Sequence, residues 1–182
     1  MRHVAFLGAL GLLSACHADG GSSSRPVSDA SVLTTSDFEQ TIGWGDSDSP
    51  SLTTERAHSG KWSVRVTPDV PFGYTYSRTF GNMSSTPLTH LVVEGWALRT
   101  APGSTAKLVV QINVSATDET KVSYSAFPIE QAVPKFGEWT AISVPITLPT
   151  GTKGTNKLKM YLWNDQGTSP TYLDDVILRK AE

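Results

Sequence analysis

The chain is 182 residues long, 38% hydrophobic and 18% charged, with a formal net charge of -2. That length suits one domain able to bury a core, and 15 basic against 17 acidic residues leave no electrostatic footprint for DNA or RNA. A single cysteine excludes a disulfide framework and a thiolate zinc cluster. Ser and Thr number 21 each, beside 15 Gly and 11 Pro, a composition of short strands joined by turns rather than of helices.

In chain order, Met1-Arg2-His3 gives a short basic start. Val4 to Leu13 is an apolar run of ten residues, too short to span a bilayer and suited to a signal-peptide core. Leu13-Ser14-Ala15-Cys16 then resembles the bacterial lipobox, which is cut before the cysteine. The resemblance implies a signal peptide over 1–15 and a lipidated Cys16, exported and anchored to a bacterial membrane, at the outer membrane or cell surface. A plain signal peptide or a chance buried cysteine are the rival readings. The only cysteine in the chain stands where the lipobox needs it. Residues 16–33 carry the Gly/Ser-rich stretch HADGGSSSR and read as a tether.

From 34 to 182 period-two alternation recurs between turn clusters. Ser63-Val64-Arg65-Val66 follows Trp62; Leu91–Leu98 and Val122–Phe127 look extended. Leu108, Val110, Ile112 and Val114 share one face, opposite Val109, Gln111, Asn113 and Ser115. Ile142, Val144 and Ile146 line a face; Leu158, Met160 and Leu162 oppose Lys159, Tyr161 and Trp163; Val176 and Leu178 close the set. Pro134 spoils the best helical window, 129–136. The fold class predicted is all-β, a two-sheet antiparallel sandwich.

Four separated segments carry a further resemblance. Asp37-Phe38-Glu39-Gln40 precedes Gly43-Trp44; Ala57-His58-Ser59-Gly60-Lys61-Trp62-Ser63-Val64 leads a strand. Phe136-Gly137-Glu138-Trp139-Thr140 leads another, and Tyr172-Leu173-Asp174-Asp175-Val176-Ile177-Leu178 forms the last. In this order they resemble the CenC-like, galactose-binding-domain-like carbohydrate-binding modules, which are jelly rolls. The resemblance implies polysaccharide or oligosaccharide binding without catalysis. It also implies a structural calcium ion (Ca2+) held by Glu39, by Ser59 and Lys61 in a carbonyl-rich turn, and by Asp174. Asp174 shares parity with Val176 and Leu178, so its carboxylate points inward and needs a partner or a metal. The plain alternative is a carboxylate accepting backbone N–H groups, and Asp37 is the reserve ligand.

Sugars offer apolar C–H faces ringed by hydroxyls, so binders stack aromatic rings on the face and hydrogen-bond the rim. Tyr161 and Trp163, backed by Lys159, and Gln111 with Asn113 would form an aromatic and amide platform if their strands share a sheet. Trp96, Arg65 and Tyr76 are candidates for its rim, while Trp62 and Trp139 suit the core. An envelope protein partner docked on the same fold is the competing class. An enzyme is the minority reading: Tyr161, His90, Arg78 and Gln111 are the residue types of a jelly-roll polysaccharide lyase, and no spacing among Glu94, Glu119, Glu130 and Glu138 selects a hydrolase pair.

Overall fold

The computed structural model describes residues 29–40, 44 and 49–181. Cys16, the expected signal peptide and most of the expected tether lie outside the described residues. Within them the alternating segments form ten strands: β1 (Val32–Ser36), β2 (Leu52–Thr53), β3 (Ser63–Val66), β4 (Tyr76–Thr79), β5 (His90–Arg99), β6 (Lys107–Asn113), β7 (Lys121–Pro128), β8 (Thr140–Thr147), β9 (Lys157–Trp163) and β10 (Thr171–Ala181). Two single helical turns, Phe80–Met83 and Ile129–Ala132, interrupt them, the second stopping short of Pro134.

The strands make two antiparallel sheets. The first runs β2-β3-β10-β5-β8, and the second β4-β9-β6-β7. β1 also pairs with β10 in the first sheet. β3 takes Thr171 to Leu173 of β10, and β1 takes Val176 to Arg179, so the two occupy successive halves of one side of that strand. Between the halves, β10 bulges against β5 between Asp174 and Ile177. Asp175 there has φ 48°, a left-handed conformation that Asp tolerates better than most residues. The domain also reaches back before 34: the Lys180 N–H donates to the Ser31 carbonyl at 2.8 Å, and Arg179 pairs with Asp29 at 2.5 Å.

The inward faces close a single core. Leu108, Val110 and Ile112 meet Leu158, Met160 and Leu162 on the second sheet, and Val93, Val144, Val176 and Leu178 face them from the first. An aromatic group joins the layers, with Trp44 edge-on to Phe38 at 5.6 Å and tilted against Tyr76 at 5.1 Å. Three expectations need correction. Trp62 is 39% exposed and Trp139 half-buried, because both stand just before a strand rather than inside the sandwich. Val114 lies past the end of β6 and is exposed. Leu162→Ala should cost about 2–5 kcal/mol, since it empties a packed site. Val122→Thr, on an exposed position of β7, should stay within about 0.5 kcal/mol, and urea midpoints of the two variants check both.

Candidate functional site

Because Leu158, Met160 and Leu162 must face the core, Lys157, Lys159, Tyr161 and Trp163 emerge on the other side of β9. β6 lies beside β9 with Lys107 opposite Trp163, Val109 opposite Tyr161, Gln111 opposite Lys159 and Asn113 opposite Lys157. β7 extends the row, placing Tyr124 across from Gln111. The outer face of the second sheet therefore gathers Tyr161, Trp163, Gln111, Asn113 and, unforeseen in the sequence, Tyr124. Phe72, 58% exposed, bridges to Trp163 and packs edge-on to Tyr161 at 6.1 Å, walling the aromatic end. Lys107 lies over the Trp163 ring at 5.7 Å, and Lys121 over Tyr124 at 4.9 Å.

The amides are more enclosed than an open platform would make them. Gln111 is 8% exposed and Asn113 fully buried. Gln111 Nε2 donates to Asn113 Oδ1 at 2.6 Å, and Asn113 Nδ2 donates to Glu119. Glu119 stands on the hairpin between β6 and β7 and also takes the ammonium groups of Lys157 and of Lys159, the latter at 2.5 Å. These charge-assisted bonds hold its carboxyl down to about 2. Burial raises the Tyr161 hydroxyl above its ordinary range. Sequence spacing had left Glu119 as one of four scattered glutamates; only the strand register shows where the hairpin delivers it.

Other expected rim residues lie elsewhere. Tyr76 is on β4 opposite Met160, so it faces the core, and burial pushes its hydroxyl up to about 12. Arg65 belongs to β3 of the first sheet and pairs with Glu55. Trp96 is on β5 of the first sheet, where the His58 ring stacks on it at 3.9 Å and covers one face. The lyase-type set is also dispersed, since His90 opens β5 while Tyr161 and Gln111 sit on the other layer. Ser59 and His58 both bond Asp175, at 2.7 and 2.5 Å, which puts the acid between them where a hydrolase triad would put the base.

No family model matches the chain, and no curated protein matches it. Solved structures do. The xylan-binding CBM22-2 domain of Paenibacillus barcinonensis Xyn10C aligns over 82% of this chain and 100% of its own, with TM-score 0.58 and 16% identity. The CBM22-1 xylan-binding domain of the same protein aligns over 84% and 97%, with TM-score 0.52 and 18% identity. The C-terminal family 22 module of Clostridium thermocellum Xyn10B, described by the role of conserved amino acids of its cleft in ligand binding, aligns over 83% and 94%, with TM-score 0.52 and 14% identity. The fold is that of the jelly-roll carbohydrate-binding modules.

In this jelly roll the residues expected around calcium do meet at one turn, but through nitrogen. Asp174, 0% exposed, accepts the His58 N–H at 2.7 Å, the Ser59 N–H at 3.3 Å and the Asp175 N–H at 2.7 Å. Glu39 Oε1 accepts the Lys61 and Trp62 N–H groups, each at 2.6 Å. Gly60 between them has φ 55°, and a Cβ there would fall on the Glu39 carboxylate. Calcium requires six to eight oxygens, whereas this turn directs N–H groups at both acids, and among the described residues no three His, Cys, Asp or Glu side chains cluster for a metal. The donor set does not fit the ion; it is a hydrogen-bonded clasp tying β1, the 57–62 turn and β10 together. Asp37 accepts the Glu39 N–H at 3.1 Å, which makes it a turn residue.

Burial raises the Asp174 carboxyl from 3.8 to about 6, its amide partners only partly opposing the shift. A carboxyl raised in the folded state binds its proton more tightly there than in the unfolded chain, so this group adds stability as pH falls. Between pH 7 and pH 5 the gain should be about 1 kcal/mol, with Tm rising accordingly. Asp174→Asn should abolish that rise and lower stability at pH 7 by about 1–3 kcal/mol, because an amide –NH2 then faces N–H donors. Thermal unfolding across the pH range checks both.

Proposed function

We propose that this protein binds polysaccharide without catalysis, on the outer face of the β4-β9-β6-β7 sheet, as a lipoprotein tethered through Cys16. The observation that carries the reading is the single sheet face on which Trp163 and Tyr161 of β9 and Tyr124 of β7 stand on either side of β6, the strand of Gln111 and Asn113. Tyr161 and Trp163 would stack on sugar C–H faces; Gln111 and Asn113, locked by their mutual hydrogen bond, would orient groups that reach the rim. The similarity to modules described as xylan-binding supports the class of ligand. Cleavage needs an acid and a base converging on one reacting atom, and the outer face offers no such pair: its acids are held by lysines. A lipid anchor would bring many copies to one polymer, so weak single sites suffice by avidity.

Trp163→Ala and Tyr161→Ala should each weaken polysaccharide binding about tenfold or more, equivalent to about 1.4 kcal/mol. Trp62→Ala, on the other sheet, should leave it unchanged. Affinity electrophoresis through a panel of gel-embedded polysaccharides, beginning with xylan, measures both, and wild-type protein that migrates freely through every gel would overturn the reading. Cys16→Ser should move the protein from the detergent phase to the aqueous phase in a phase-partition assay on bacterial membranes.

A further inference from the structure

The charges on the outer face are unevenly matched. Lys107 is balanced by Asp165 at 2.5 Å. Lys157 and Lys159 share one carboxylate, that of Glu119, while Lys121 stands over the Tyr124 ring, so two ammonium groups meet one acid with a third cation on the same face. The chain as a whole is net negative at -2, so this concentration of lysine runs against the overall balance.

Glu119 itself is the odd partner. It does not belong to the sheet; a turn of the β6–β7 hairpin delivers it, with its side chain 54% exposed, while Lys157 and Lys159 are only 12% and 27% exposed. Beneath it Asn113 Nδ2 donates to the same carboxylate, and Gln111 fixes Asn113 from the other side. Two ammonium groups and an amide N–H thus converge on one carboxylate position, at the far end of a row of aromatic rings. That is a carboxylate-recognition site filled by the protein's own acid.

We propose that the ligand is an anionic, uronate-bearing polysaccharide, whose sugar rings lie on Tyr161 and Tyr124 while a uronate carboxylate takes the Glu119 position on Lys159, Lys157 and Asn113. The inference rests on the glycan-binding reading and specifies its substrate class. Exchange is possible because the Glu119 side chain, 54% exposed, reaches Asn113, Lys157 and Lys159 from the solvent side, the side from which a ligand carboxylate would also arrive. The two ammonium groups and the amide N–H that hold the Glu119 carboxyl low would favour another negative oxygen in its place. Removing the resident acid should therefore help an acidic ligand and leave a neutral one indifferent.

The test compares polygalacturonate with its fully methyl-esterified form, which keeps the rings and removes the charge, and with neutral xylan, by affinity electrophoresis and calorimetry. The expected result is binding of polygalacturonate at least about tenfold tighter than of the ester, weakened by raised salt. Lys159→Gln should weaken polygalacturonate binding about tenfold; Glu119→Gln, which keeps the hydrogen-bonding shape, should tighten it severalfold without changing binding to xylan. Thermal unfolding confirms that each variant is folded, and the gain expected of Glu119→Gln cannot arise from damage. Equal binding of acid and ester, binding of xylan alone, or a loss on Glu119→Gln would overturn this inference and leave glycan binding standing. Binding to none of the three, nor to the wider panel, would overturn both.

Discussion

The alternation along β9 is the constraint on which the rest depends. Leu158, Met160 and Leu162 are each at most 2% exposed, and burying side chains of this size is worth about 1.5–3 kcal/mol apiece. A slip of one residue would turn all three to the outside and drive Lys159, Tyr161 and Trp163 into the core. The core thus fixes which side chains appear on the outer face, and β6, locked to β9 in register, inherits the same choice. Aromatic rings, amides and lysines line up because apolar packing leaves them no other direction.

The second sheet differs from the first in how its outer side is finished. β6 is buried on both faces: Val109 and Asn113 are fully covered and Gln111 nearly so. Such amides require partners, and they find them in each other and in Glu119. The network therefore serves stability and presentation together, since the bond that satisfies Asn113 also places an acid over two lysines. On the first sheet the corresponding role falls to the clasp, where Asp174 and Glu39 gather backbone amides of the 57–62 turn and draw the first and last strands into one layer.

Much of this was legible in the sequence, for a physical reason. Period two is a local property, so the strands at 108–113, 142–146 and 158–163 could be read directly. The inward direction expected of Asp174 fails, because the β10 bulge breaks its parity with Val176 and leaves it opposite Trp96, on the outer side of the sheet beneath the 57–62 turn. β1, β2 and β4 escaped because they are short and their residues are mostly polar or half-buried. Strand order is not local. Trp96 and Arg65 have suitable chemistry, yet their strands pair with β10, and no periodicity reports that. Tyr76 belongs to the second sheet but has core parity, which the unrecognised β4 concealed. The clasp shows a different limit: a carboxylate buried beneath a turn needs a partner, but whether the turn offers carbonyls or N–H groups depends on peptide orientation that spacing does not encode.

Pro145 lies in β8, the last strand of its sheet, opposite Val92. Proline has no N–H to offer an incoming strand, and it is tolerated there because that side of β8 is unpaired. At the other end of the same sheet β2 is two residues long, too short to template another chain. Neither of these two edges therefore offers another chain a long ladder of hydrogen bonds. The first sheet thus closes itself at these two edges by chemistry and by length, with no further strand paired to either among the described residues.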